Sequence, residues 1–276
     1  MALRLTEQPS LYDNLEKKSV AELLHDINQE DQKVALAIQK VLPDIEKLVC
    51  AIEAHVREGG RLFYLGCGTG GKLAVLDTLE IPNTYGVSPE MVQCVLAGGV
   101  ENLVQDIEEA EDWLDEGWET LEKKHHVTPK DIVVGISASG TTPYVLASLK
   151  ACREHGIPTG SIVNNPESPI SEYSDYPVEI LTGPEFITGS TRMKSGTSQK
   201  LLCDMISTTL MCRLGRVEGN RMVCAHLINN KVVDRLTRTL MDRNGITDYA
   251  LVESEIKACG GLREAESSLR RKGYIQ

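Results

Sequence analysis

Aromatic side chains are scarce in this sequence, 4% of 276 residues with two Phe and two Trp, so any core must rest on Leu, Ile, Val, Ala and Met. Long apolar runs are missing too. None approaches the roughly 20 residues that a membrane helix needs, and MALRLTEQPSLYDNLEKKS at the start carries charges where a signal peptide requires an apolar stretch. The expectation is a cytoplasmic protein. Basic residues are outnumbered, 29 against 40 acidic, for a formal net charge of −11. That balance argues against partners rich in phosphate, namely nucleic acid or an anionic membrane surface. It leaves room for a small anionic ligand, which a few backbone N–H groups can hold. The eight cysteines form no C-x-x-C pair and no zinc-finger spacing, so they read as small buried hydrophobes in a reducing compartment, with no metal site.

What is present is an alternation of periods. Residues 19–58 carry apolar residues at helical spacing, stop at Gly59-Gly60 and are split at Pro43 into two predicted helices. Short apolar runs then alternate with helical stretches. Strands are predicted over 61–66, 91–99, 131–137, 160–165 and 177–183. Helices are predicted over 71–80 (broken by Pro82), 101–124 (long and acidic), 143–156 and 195–215. Alternation of this kind implies a parallel sheet with right-handed crossovers. Beyond 216 no strand is expected, only three helices with glycine breaks. The resulting division is an N-terminal helical segment 1–58, an α/β domain 59–216 and a C-terminal helical subdomain 217–276.

Two strand-to-helix junctions fall at the carboxyl ends of predicted strands, where open α/β sheets bind ligands. Gly66-Cys67-Gly68-Thr69-Gly70-Gly71 follows the first strand, and Ser137-Ala138-Ser139-Gly140-Thr141-Thr142 follows the third. Each offers N–H groups at a helix start, which favour an anion. The first matches G-x-G-x-x-G, but Glu90 precedes the second strand instead of closing it, so a tight turn, a nucleotide and another phosphate all remain open. The second is either a helix N-cap or a phosphate cradle. A third segment, Gly189 to Thr197, adds hydroxyls and two cations, or simply caps the last large helix.

GCGTGGKLAVLDTLEIPNTYG (66–86), GISASGTTPYV (135–145), GPEFITGSTRMKSGTSQK (183–200) and MISTTLMCRLGRVEGNRMV (205–223) resemble bacterial N-acetylmuramic acid 6-phosphate etherases. The resemblance runs from TEQPSLYDNLEKKS through the C-terminal helices, essentially the whole chain. It implies an α/β fold of the sugar isomerase (SIS) type: a parallel five-stranded sheet flanked by helices, with N-terminal helices and a small C-terminal helical appendix. It also implies a homodimer working on a sugar phosphate without metal or cofactor. The reaction implied removes D-lactate to leave N-acetylglucosamine 6-phosphate, in cell-wall sugar recycling.

The two acidic residues of the family fall on Glu80, in LEIPNTYG, and Glu111, in IEEAED. By resemblance, Glu80 protonates the departing lactate and Glu111 removes the proton from carbon 2. Without it, both would pass as a helix-end residue and a solvated acidic face. Gly68, Thr69, Gly71, Lys72, Ser137, Ser139, Gly140, Thr142, Ser190, Arg192 and Lys194 are the expected substrate- and phosphate-binding set. An alkoxide leaves poorly, so the elimination wants one carboxylate as base and one carboxylic acid as donor. An ordinary Glu is ionised at neutral pH, so Glu80 is expected to be kept neutral by burial or a nearby negative charge.

The chain departs from the family's G-A-G-T-S-G-R in its first loop, with Gly70 for Ser and Lys72 for Arg, and around Glu80 it has Thr78-Leu79 for A-S and Pro82-Asn83-Thr84-Tyr85 for P-P-T-F. Altered substrate preference or weak activity is the expected consequence of such changes. Three other readings are a non-catalytic sugar-phosphate regulator, an aldose–ketose isomerase of the same fold and, lowest, a dinucleotide-dependent oxidoreductase.

Overall fold

The computed structural model describes residues 4–104 and 107–275. Two compact units emerge from the internal contacts. The first runs up to Thr78 and again from Glu90 to Ser207, and the second comprises Leu79–Pro89 and the chain from Thr208 onward.

The first unit is built on a sheet of five parallel strands, β1 (Leu62–Gly66), β2 (Val92–Leu96), β3 (Ile132–Ser137), β4 (Thr159–Val163) and β5 (Tyr176–Glu179), in the order β2-β1-β3-β4-β5. The three central strands are buried along their whole length, as expected when both faces of a parallel sheet are covered. The register pairs Gly66 with Ile136 and Ser137 with Val163, so β1, β3 and β4 end side by side. At the opposite end of these strands Arg61 donates to both carboxylate oxygens of Asp131, 3.0 and 2.9 Å, tying the starts of β1 and β3.

Two helices precede the sheet, α1 (Val20–Lys40) and α2 (Leu42–Arg57), with Pro43 in the first turn of α2 where its missing N–H costs nothing. Ser19 and Glu22 form a reciprocal capping box on α1. Helix α3 (Gly68–Tyr85) corrects the expected span at both ends. It begins inside the glycine loop and runs through Pro82, which sits in the last turn and so forfeits only one internal hydrogen bond.

The long acidic helix expected over 101–124 is not formed. Its place is taken by 3-10 turns at Val100–Leu103 and Glu108–Asp112, a single turn α4 (Glu116–Glu119) and a π turn at Thr120–Lys124; Gln105 and Asp106 lie outside the described residues. The buried Asn102 explains part of the break. Its side chain donates to Ala97 O (2.9 Å) and accepts from Ile107 N (2.8 Å), offering the backbone an alternative to a helix. Helix α5 (Pro143–Glu154), the short α6 (Pro169–Glu172) and α7 (Lys194–Arg213) complete the layers around the sheet.

In the second unit, β6 (Val217–Glu218) and β7 (Arg221–Met222) form a two-residue hairpin, a correction to the expectation of no strand beyond 216. Segments this short give no readable alternation. Helices α8 (Asn230–Asn244), α9 (Tyr249–Cys259) and α10 (Leu262–Arg271) enclose a core of Val233, Leu236, Leu240, Val252, Ile256, Leu262 and Leu269. Asn229 and Asp248 cap α8 and α9 at their starts, and Gly245 and Gly260 end them in the left-handed conformation.

Candidate active site

The ends of β1 and β3 enclose a cavity of about 220 Å³ lined by both sequence-predicted loops, by Glu111 and by Glu7, Gly189, Thr191 and Gln199. A second, broader cavity of about 610 Å³ shares Gly68, Thr69, Glu111 and Thr191 with it and adds Lys72, Asn102, Glu109 and Asp112.

The hydroxyl loop is pre-arranged. Ser137 Oγ lies 2.8 Å from Thr142 Oγ1 and 3.3 Å from Ser139 Oγ, and it accepts from Gly140 N at 3.1 Å. Thr142 stands at the N-cap of α5 but makes no capping bond. Its hydroxyl is turned into the Ser137–Ser139 cluster, so the first N–H groups of α5 are not consumed by a cap. A cluster of hydroxyls at the N-terminus of a helix of 12 residues suits a phosphate. Asn165 holds the loop from behind, its Nδ2 donating to Ala138 O (2.9 Å) and Ser139 O (3.2 Å).

The first loop runs straight into α3. Gly68 has φ +51°, and a Cβ there would lie 3.0 Å from Oε1 of Glu111. Glu111, read from sequence as part of a helix's acidic face, therefore sits on a 3-10 turn with its carboxylate over the glycine loop. The thiol of Cys67 lies against this carboxylate; burial first, and then Glu111, push it well up, so it stays protonated and donates. At Gly70 a Cβ would meet Gln199 Oε1 and Ile136 Cγ2, each at 2.8 Å, so any side chain there would require these neighbours to shift.

The other expected residues are placed differently. Gly71 packs against Leu96 and Gly66, where a Cβ would fall within 2.6 and 2.7 Å, and does not line either cavity. Gly140 has φ +71° and lies against Ser168, shaping the hydroxyl loop. Ser190 and Arg192 are outside both linings, with Arg192 exposed. Lys194 is 1% exposed, and its ammonium is spent on the buried carboxylate of Glu30 at 2.6 Å. The start of α7 is already occupied by an internal anion: Glu185 accepts from Lys194 N (2.9 Å), Ser195 N (2.9 Å) and Ser195 Oγ (2.6 Å). That segment holds its own architecture, and only Gly189 and Thr191 from it reach the cavity. Glu80 lies in the second unit, exposed on α3 and outside both linings.

Cys67, Gly189 and Thr191, which stand in the candidate loops but outside the expected binding set, also line the cavity, as do Glu7 and Gln199, which no candidate loop contains. Glu7 and Gln199 stood inside segments quoted for the resemblance, but no spacing rule singles them out. Among the described residues no group of His, Cys, Asp and Glu is arranged to hold a metal, and no helix is long and apolar enough to cross a membrane.

The glucokinase regulatory protein N-terminal SIS domain matches residues 40–153, and the SIS domain matches residues 116–208. Among solved structures, the chain is similar to a phosphoheptose isomerase from Francisella tularensis (15% identity, TM-score 0.51, 69% of this chain and 99% of that one). It is also similar to a protein of E. coli CFT073 solved as a ligand complex (20% identity, TM-score 0.52, 74% and 97%). These likenesses establish the fold. In sequence the chain is 50% identical over 274 residues to the N-acetylmuramic acid 6-phosphate etherase of Bacteroides thetaiotaomicron, covering 99% of this chain and 98% of the relative. The etherase of Porphyromonas gingivalis is 51% identical over 269 residues (98% and 97%), and that of a Geobacillus species 45% over 252 (91% and 85%). With half its residues shared along almost its full length, this chain belongs to the N-acetylmuramic acid 6-phosphate etherase family.

Proposed function

We propose that this protein is a carbon–oxygen lyase that cleaves the D-lactyl ether of N-acetylmuramic acid 6-phosphate, yielding N-acetylglucosamine 6-phosphate and D-lactate. The observation that carries the reading is the placement of Glu111 over Gly68, in the same cavity as the Ser137–Ser139–Thr142 cluster. The phosphate takes the hydroxyl loop and the N–H groups at the starts of α3 and α5, with Lys72 adding charge from the broader cavity. Anchored there, the open-chain sugar presents carbon 2 to Glu111.

Glu111 removes the carbon 2 proton, the electrons form an enolate-like system with the aldehyde, and the carbon 3–oxygen bond breaks. Glu80 supplies the proton that the departing lactate oxygen needs. Water then adds across the double bond with the two carboxyl groups in reversed roles. Glu80 is exposed on the single chain; in this reading a homodimer supplies the cover or the neighbouring negative charge that keeps the donor protonated. The reading needs no cofactor, and it places the enzyme in the cytoplasm, where recycled cell-wall sugars are used.

The match to the glucokinase regulatory domain favours one second reading, a sugar-phosphate sensor without catalysis. Assay of free lactate from N-acetylmuramic acid 6-phosphate separates the two. Lactate in step with N-acetylglucosamine 6-phosphate supports the etherase, whereas tight binding without lactate supports the sensor.

A further inference from the structure

Residues 5–7 form one 3-10 turn, and its middle residue, Thr6, is completely buried. Thr6 N donates to Asn165 Oδ1 (3.2 Å), and Asn165 Nδ2 donates back to Thr6 Oγ1 (3.0 Å). The same Nδ2 holds Ala138 O and Ser139 O of the hydroxyl loop. One asparagine thus ties the N-terminal arm to the loop that cradles the phosphate. A second tie follows: Ser10 N donates to Thr188 Oγ1 (2.9 Å), Ser10 Oγ donates to Phe186 O (2.7 Å), and the rings of Tyr12 and Phe186 meet at 5.1 Å.

Between these anchors stands Glu7. It lines the cavity beside Glu111, with Oε2 3.3 Å from the position a Cβ on Gly189 would take. Among the described residues, no cation or hydrogen-bond donor engages its carboxylate. An ionised carboxylate is acceptor-only, with room for several donors. It repels a phosphate but matches the O–H groups and acetamido N–H of an amino sugar.

We propose that Glu7 is a substrate-contacting, specificity-determining residue that accepts hydrogen bonds from the hydroxyls or the acetamido N–H of the sugar bound in this cavity. The phosphate takes the Ser137–Thr142 end, and the N-terminal arm forms the wall that reads the sugar. The inference rests on the sugar-phosphate reading of the cavity.

The experiment is calorimetric titration of the full chain and of its Glu7→Ala and Glu7→Gln variants with N-acetylglucosamine 6-phosphate and, separately, inorganic phosphate. Lactate release from N-acetylmuramic acid 6-phosphate is followed in parallel. Glu7 is exposed, so neither variant threatens folding. Loss of a hydrogen bond to a charged group predicts a roughly ten-fold or greater weakening of sugar-phosphate binding in Glu7→Ala, with inorganic phosphate binding no weaker than in the wild type. Glu7→Gln, which keeps an acceptor but not the charge, should fall between. The effect should appear in KM more than in kcat. Unchanged sugar-phosphate affinity in Glu7→Ala would overturn the proposal, as would an equal loss for inorganic phosphate, which would make the arm merely structural. Absence of lactate with sugar-phosphate binding intact would sink the etherase reading while leaving the Glu7 titration decisive.

Discussion

Oε1 of Glu111 lies 3.0 Å from the point where Gly68 would carry a Cβ, and Gly68 itself has φ +51°. The glycine is required twice, by its left-handed backbone and by the carboxylate above it. Gly68→Ala should therefore cost about 1–2 kcal/mol from the backbone alone. It should cost far more in activity, because the methyl group displaces Glu111. Thermal unfolding and lactate assay on the same sample test this; a variant that loses stability but keeps full turnover would separate Glu111 from the reaction.

Lys194 and Glu30 meet at 2.6 Å, 1% and 2% exposed, across 164 residues of sequence. Breaking a buried pair strands a charge, typically at about 3–5 kcal/mol. Lys194→Met should be destabilised toward the low end of that range, since Lys33 and Tyr12 still contact Glu30 at 2.5 and 2.9 Å. Denaturant unfolding reads the loss. Little change in stability, together with weaker phosphate binding, would return Lys194 to the ligand.

Ser139→Ala removes one hydroxyl from the Ser137–Thr142 cluster without touching the core. If that cluster holds the phosphate, affinity for N-acetylglucosamine 6-phosphate should fall roughly ten-fold. Inorganic phosphate should weaken in parallel, the opposite of the pattern expected at Glu7. Unaltered phosphate affinity would move the anion elsewhere.

Acid should loosen the first unit through Asp131. Burial alone would raise its pKa, but the Arg61 guanidinium and the Thr128 N–H together hold it below the ordinary carboxylate value. A carboxyl depressed in the folded state contributes stability above its unfolded pKa, about 3.9, and loses it as pH falls through the folded value. Glu30 behaves likewise: its burial is outweighed by hydrogen bonds from Lys194, Lys33 and Tyr12. Wild-type stability should therefore decline below about pH 4. Asp131→Asn should start lower at neutral pH and lose less with acid. Parallel pH–stability curves for the two proteins would contradict the assignment.

The sheet was legible in the sequence because its central strands are continuous apolar runs punctuated by Gly and Pro. The helix caps at Ser19 and Gly245 carry readable signals too. The region 101–124 misled because acidic residues at helical spacing satisfy a periodicity count, while the buried Asn102 side chain that breaks the run is visible only in three dimensions. At the site, the glycine and hydroxyl loops announced themselves by position after strands. Lys194 did not reveal that its charge is answered by Glu30, because a contact spanning 164 residues leaves no local pattern. Glu7 was silent for the same reason, reaching the cavity through an anchor at Asn165.

The most direct test of the elimination chemistry is lactate release from N-acetylmuramic acid 6-phosphate by the full chain and its Glu111→Gln variant, with binding of N-acetylglucosamine 6-phosphate measured alongside. The account predicts equimolar lactate and amino-sugar phosphate from the wild type, and no measurable lactate from the variant with binding retained. Undiminished lactate release by Glu111→Gln would contradict it.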